Sequence, residues 1–422
     1  MGKRLVLTGN HAAAYACKAA NVEVVAAYPI TPQSPVVEKI SEFVETNKLP
    51  NTRFVTVESE QSAITAVVAA SATGSRVFTA TSANGLEYMY EMLSWAAGSR
   101  LPLVMCIATR ALGAPWSVWT DHQDAFSVRD VGFMNMFCED NQEIYDTILM
   151  AYRIAEDPRV FLPAFVSYDG YILSHTFMPV QTEDPEKVAE FLPKLKHHID
   201  LAKLTNPDQR TKGVNPVTTP DIIPRPGEKP APGYYEFRYS MQKAHEYAIE
   251  VIEEVAEEFS EVFGRKYGNG IYKEYRNDDA EVSLFAVGSI ASECREAVDV
   301  MRDQGFKVGL VSLKLFRPFP IEHLRKVFQD TEMVVVFDRD IGYGYEGILA
   351  YELKSAMYAA DRHPIIKGYI VGLGGRDVTK DQIVKGTQKA METKNKDAMQ
   401  KDTHTDYLGL KLEELGFKRG EN

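Results

Sequence analysis

The chain has 422 residues, 45% of them hydrophobic and 25% charged, with a formal net charge of -12 at neutral pH. That is enough for two or three domains with a sizeable core, and an acidic balance without a Lys/Arg block argues against nucleic acid as a partner. No apolar run approaches the length that spans a bilayer, and the opening Met1-Gly2-Lys3-Arg4-Leu5-Val6-Leu7 starts a strand rather than a signal peptide, so a cytoplasmic location is expected.

Residues 1–180 alternate helix and strand patterns, as an α/β domain does. An Ala-rich helix is expected over 11–20 and a buried strand over 22–27. The strand stops at Ala27-Tyr28-Pro29-Ile30-Thr31-Pro32, where two prolines stiffen the turn and leave Thr31 at its carboxyl end. In open α/β sheets that edge is where ligands bind. A helix over 36–44 follows, then strand 53–57, helix 60–70, strand 76–81, helix 85–97, strand 103–108, helix 142–155 and strand 160–168. Apolar runs without alternation predict a parallel sheet covered on both faces.

Residues 181–240 read as a linker, and its 206–233 portion carries Pro207, Pro216, Pro220, Pro224, Pro226, Pro230 and Pro232 with little apolar periodicity. A connecting amphipathic helix is expected over 241–270, with Ala244, Val251, Val255, Phe259 and Val262 on one stripe and an acidic opposite face. A second α/β domain spans 280–400, with strands at 282–287, 308–313, 333–337 and 365–371 and a last helix from about residue 379.

Glu60 follows a strand and opens a helix, where a carboxylate often serves only the helix dipole; its place on the same sheet edge as Thr31 also makes it a candidate catalytic group. Arg110 ends a third strand, suited either to a surface ion pair or to a bidentate grip on a substrate carboxylate. Gly342-Tyr343-Gly344-Tyr345-Glu346-Gly347 fits a dinucleotide pattern but follows the wrong strand of its domain, so a structural turn is expected. Asp121-His122-Gln123-Asp124 is read as a polar loop rather than a metal site, because four consecutive side chains do not converge. Trp116 and Trp119 are packing residues or a pocket wall; Tyr88, Tyr90 and Trp95 are core or interface. Cys17, Cys106, Cys138 and Cys294 are scattered, so no metal or iron–sulfur site is expected in this chain alone.

Many stretches in order resemble one family: Ala27-Tyr28-Pro29-Ile30-Thr31-Pro32-Gln33, Val57-Glu58-Ser59-Glu60, Thr81-Ser82-Ala83-Asn84-Gly85-Leu86, Arg110-Ala111-Leu112, Trp119-Thr120-Asp121-His122-Gln123-Asp124, Phe316-Arg317-Pro318-Phe319-Pro320 and Gly372-Leu373-Gly374-Gly375-Arg376-Asp377. The chain resembles the α subunit of the 2-oxoacid:ferredoxin oxidoreductases, of the pyruvate:ferredoxin oxidoreductase (pyruvate synthase) group. The resemblance implies a pyrimidine-binding-like domain of a thiamine-diphosphate enzyme followed by a transketolase C-terminal-like domain. It implies a β subunit supplying the diphosphate- and Mg2+-binding half, γ- and δ-type subunits, [4Fe-4S] clusters on those partners, coenzyme A, and ferredoxin or another acceptor. The missing Gly-Asp-Gly stretch and the scattered cysteines agree with such a division.

By the same resemblance Glu60 hydrogen-bonds the cofactor's aminopyrimidine ring and favours the tautomer that removes the thiazolium proton. Thr31 and Arg110 hold the carboxylate and keto oxygen of the substrate, an orientation task. Pro29 and Ile30 line the cofactor's pyrimidine side, so that Pro29, Ile30 and Glu60 bind cofactor while no residue here binds metal. The implied reaction is oxidative decarboxylation of a 2-oxoacid to acyl-CoA and carbon dioxide, with electrons passed to the clusters. Pyruvate is the default substrate. Departures at Glu87, Tyr88, Tyr90, Trp95, Gly113 and Trp116 make an aromatic 2-oxoacid such as phenylglyoxylate the alternative. Other classes held open are a cluster-free transketolase-like component and a non-catalytic scaffold.

Overall fold

The computed structural model describes residues 2–195, 234–393 and 404–416. The proline-rich run expected over 206–233 lies outside the described residues. Numbered along the chain, β1 (Lys3–Leu7) and β8 (Met178–Thr182) pair antiparallel as a small ribbon. The largest sheet is built from β2 (Val24–Ala27), β3 (Arg53–Thr56), β4 (Val77–Thr81), β5 (Val104–Thr109), β6 (Met134–Phe137), β7 (Ala164–Asp169) and β12 (Leu315–Arg317). Its order is β12-β6-β7-β5-β4-β2-β3. The second sheet runs β15-β14-β13-β10-β11-β9, from β9 (Tyr272–Tyr275), β10 (Val282–Val287), β11 (Val308–Leu313), β13 (Met333–Asp338), β14 (Ile365–Ile370) and β15 (Asp406–Tyr407).

The central strands are parallel, as their unbroken apolar runs predict: every residue of β5 and β7 is buried. Helices cover both faces, and their starts are written in the sequence. The side chains of Thr8, Ser59 and Asp140 each accept a hydrogen bond from an amide of the first turn that follows. Two edges are antiparallel instead, β9 on β11 and β12 on β6. The second edge comes from the later half of the chain. It is held there because Phe316 packs on Phe126 at 4.5 Å between ring centres and Leu315 is buried.

Three expectations change. The single helix over 85–97 is two, Ala83–Tyr88 and Tyr90–Gly98, and Tyr88, Tyr90 and Trp95 stand exposed, which removes the core alternative and leaves the interface one. The linker expected from residue 181 begins with the end of β8 and a helix over Pro185–Phe191, whose Phe191 packs edge-on against Phe259. The long helix starts earlier, at Tyr234, and runs to Phe263 with Ala244, Val251, Val255 and Phe259 buried. Among the described residues no helix is long and apolar enough to cross a membrane.

The two large sheets are tied by buried charge. Glu143, fully buried at the start of the helix after β6, contacts Lys314 and lies 3.4 Å from Lys273. Glu139 is 2.7 Å from Lys273 and 3.1 Å from Arg295. Burial alone would raise the Glu143 carboxyl, but the Lys314 and Lys273 charges hold it well below the usual carboxylate range. Removing one partner strands the other's charge in a dry place. Glu143→Gln should therefore destabilise the protein by about 3–5 kcal/mol. Calorimetry of the purified protein checks this, and a loss under about 1 kcal/mol, the value of a surface pair, contradicts it.

Candidate active site

The strand order places the site. From β2 the chain steps outward to β3, then crosses back over β2 to β4 and moves on to β5. The sheet's direction of travel therefore diverges between β2 and β4, which opens a crevice beyond their carboxyl ends. Thr31 follows β2, Glu60 follows β3, the Ser82–Gly85 turn follows β4 and Arg110 follows β5. All stand on one edge.

Thr31 and Arg110 touch. The guanidinium Nη1 donates to the Thr31 carbonyl at 2.8 Å and Nε donates to the Ser117 carbonyl at 3.1 Å. Thr31 thus contributes its backbone to the pair; its exposed hydroxyl makes no hydrogen bond to a described residue, and neither does Nη2 of Arg110. The turn itself is fixed from below. Asn10 Nδ2 donates to the Pro32 carbonyl at 2.7 Å, and the buried Tyr168 hydroxyl donates to Asn10 Oδ1 at 2.9 Å. Pro29 is exposed and Ile30 half-buried.

Glu60 is 8% exposed and its carboxylate makes no hydrogen bond to a described residue. It does not touch Thr31 or Arg110 directly. It faces Gly85: a Cβ built there would lie 2.7 Å from Glu60 Oε1 and 2.6 Å from Thr81 Oγ1. Gly85 therefore keeps a notch open beside the acid. The Thr81 and Ser82 hydroxyls around it are buried without partners. An unpaired, nearly buried carboxylate and unpaired hydroxyls are polar groups awaiting a polar ligand.

Asp124 joins the two halves of this edge. Its Oδ2 accepts from the Ala83 amide at 2.8 Å and from the Arg110 amide at 3.0 Å, while Oδ1 accepts from the Ala125 amide at 2.7 Å. Burial pushes its pKa up to about 8, against the pull of those amides. Sequence reasoning gave no role to Asp124 or Gly85. Their signals were faint: the last acid of a polar run and a glycine after a strand end.

The polar run from Trp119 to Asp124 is irregular as far as His122 and opens a short helix at Gln123, and Thr120, Asp121, His122 and Asp124 in it are buried. Among the described residues no group of three or more His, Cys, Asp or Glu could hold a metal ion. Instead His122 Nε2 meets Asp169 Oδ1 at 2.7 Å, and Asp169 Oδ2 accepts the Ser289 amide at 2.7 Å. Burial would raise Asp169, but His122 and Arg339 hold it well below the usual range. Trp116 is 77% exposed, with Arg110 5.7 Å from its ring centre; Trp119 is half exposed and lies 4.6 Å from the Tyr171 ring. The expected turn at 342–347 is closed by two hydrogen bonds of 2.9 Å, from the Gly342 amide to the Glu346 carbonyl and from the Tyr345 amide to the Gly342 carbonyl.

Residues 15–257 match the family model described as pyruvate flavodoxin/ferredoxin oxidoreductase, thiamine diP-bdg, and residues 280–383 match pyruvate:ferredoxin oxidoreductase core domain II. The chain is 49% identical over 380 residues to ketoisovalerate oxidoreductase subunit VorA of Pyrococcus furiosus, covering 90% of this chain and 92% of the relative. It is 42% identical over 416 residues to pyruvate synthase subunit PorA of Pyrococcus abyssi, covering 98% and 99%. Among solved structures, 2-oxoglutarate:ferredoxin oxidoreductase from Magnetococcus marinus superposes with a TM-score of 0.67 at 19% identity, over 92% of this chain and 65% of that one. A split-gene transketolase superposes with a TM-score of 0.52 at 13% identity, over 92% and 98%. These two likenesses concern the fold.

Asp124 gives a pH test. Its folded pKa of about 8 exceeds the ordinary 3.8, so its contribution to stability is complete below about pH 4 and is lost as pH rises through 8. Asp124→Asn should flatten the fall in melting temperature between about pH 4 and 8. An unchanged slope means that Asp124 is ionised throughout.

Proposed function

The chain belongs to the pyruvate flavodoxin/ferredoxin oxidoreductase family, and on that premise we propose how its residues divide the work of an α subunit in a 2-oxoacid oxidoreductase. The single observation that carries the reading is the unpaired carboxylate of Glu60 facing the Gly85 notch on the edge that also carries Arg110. The residues fit the pyrimidine end of thiamine diphosphate. Glu60 would accept from a ring nitrogen, the Thr81 and Ser82 hydroxyls would meet its polar edge, and Pro29 and Ile30 would line its flank. Bound there, the cofactor supplies a nucleophilic carbon and a sink for the electrons released with carbon dioxide.

Glu60 holds or releases a proton at the ring nitrogen, a task for a carboxylate kept from bulk water. Arg110 is fixed through two of its nitrogens, and the free Nη2 grips the substrate carboxylate; the free Thr31 hydroxyl meets the keto oxygen. The diphosphate- and Mg2+-binding half, the iron–sulfur clusters and the acceptor belong to partner subunits in this reading. It extends to coenzyme A as acyl acceptor and to the cytoplasm as location. For the acyl group, Trp116 beside Arg110 and the higher identity to the ketoisovalerate than to the pyruvate synthase subunits support a branched-chain 2-oxoacid over pyruvate.

Two outcomes are expected of the assembled enzyme. Glu60→Gln lowers kcat by roughly 100- to 10,000-fold while size-exclusion chromatography shows intact assembly; activity near the parent's removes Glu60 from the chemistry. In a viologen-dye assay, 3-methyl-2-oxobutanoate gives the highest kcat/KM of a panel that includes pyruvate and phenylglyoxylate. A larger value for either of the others reassigns the substrate.

A further inference from the structure

The second sheet has a crevice of its own. Its order diverges between β10 and β13, so a ligand site is expected beyond their carboxyl ends. The first domain fills that space. The His122 amide donates to the Arg339 carbonyl, just after β13, at 2.9 Å. A Cβ at Gly288, just after β10, would come 3.3 Å from the His122 ring and 2.7 Å from Asp169 Oδ2.

The third loop of that edge, after β14, reaches the same segment. The Gly375 amide donates to the Thr120 carbonyl at 2.8 Å, and the Gly374 amide to Asp121 Oδ2 at 3.2 Å. Gly375 has a φ of +75° and lies so close to Trp119 that a Cβ would sit 2.4 Å from the Trp119 Cβ. From Trp119 the contact passes to Arg110 through Ser117. The Trp119 carbonyl accepts the Ala111 amide at 3.0 Å, the Trp119 amide donates to Ser117 Oγ at 3.3 Å, and the Ser117 carbonyl accepts Arg110 Nε.

We propose that Gly375 of the second domain is a positioning residue for Arg110, acting through Trp119 and Ser117. The proposal rests on the reading of Arg110 as the group that grips the substrate carboxylate. The second domain then has a part in the reaction without touching substrate: its sheet edge, filled by the 120–122 segment, is the back wall of the substrate arginine. Only a residue without a side chain allows the turn to close on Trp119 and hold the Ser117 carbonyl under the guanidinium.

The control is built into the turn. Gly374 also has a positive φ, +60°, but its Cβ would meet only Ser117 Oγ at 3.7 Å, an ordinary contact. Gly375→Ala and Gly374→Ala thus share backbone strain, and only the first displaces Trp119. In the assembled enzyme Gly375→Ala should raise KM for the 2-oxoacid by about 10- to 100-fold, leave KM for coenzyme A unchanged and lower kcat far less. Gly374→Ala should raise KM several-fold less. Asp121→Ala, which frees the loop from the Gly374 amide without steric conflict, should shift KM in the same direction and serves if Gly375→Ala does not assemble. Equal effects of the two glycine variants, or an unchanged KM in Asp121→Ala, overturn the proposal. Arg110→Ala is measured alongside. An unchanged KM there sinks the reading of Arg110 itself, whereas a raised KM with indifferent glycine variants sinks only the role of Gly375.

Discussion

One buried carboxylate sets the geometry of this edge. Asp124 accepts the amides that begin the turn after β4 and the residue after β5, so two loops from neighbouring strands cannot move independently. Ala83 leads within two residues to the Gly85 notch beside Glu60, and Arg110 is the substrate arginine of the proposed reaction. With three amides bonded to one buried carboxyl group, neither loop can shift without leaving a buried N–H unpaired. These bonds fix the distance between an acid and a guanidinium that never touch each other.

The second domain matters because of where its sheet ends. Parallel sheets carry a crevice at a topological switch point, and such crevices usually take ligands. Here Thr120, Asp121 and His122 occupy it, anchored to the loops after β10, β13 and β14. The dinucleotide-like glycine pattern at 342–347 lies on this same edge and folds as a closed turn. Two sheets thus meet carboxyl edge to carboxyl edge, and in the proposed reading one carries the site while the other backs it. The buried Glu143–Lys314 contact locks the arrangement from the side.

Much of the fold was legible. The strands at 282–287 and 308–313 fall where their apolar runs begin and end, because a strand buried on both faces must be apolar throughout. The helices expected over 60–70 and 142–155 begin within a residue of where they were placed, each capped by the residue before it, Ser59 and Asp140. The strand at 315–317 was not legible, since three residues carry no period, and its partner lies some 180 residues away along the chain. Nor was the break at Met89, whose helical propensity is ordinary on both sides. The polar run at 121–124 read only as a polar loop; its burial depends on partners across the seam that no local pattern marks.

The sequence by itself determined the two α/β units, the parallel cores and the placing of Thr31, Glu60 and Arg110 at strand ends, because periodicity and turn chemistry are local properties. Tertiary structure alone decided that Thr31 meets Arg110 through its carbonyl, that Asp124 ties the acid's turn to the arginine, and that Gly375 of the second domain closes on Trp119. Those facts depend on which strands lie side by side, and hydrogen bonds between residues far apart in the chain leave no period in it to be read.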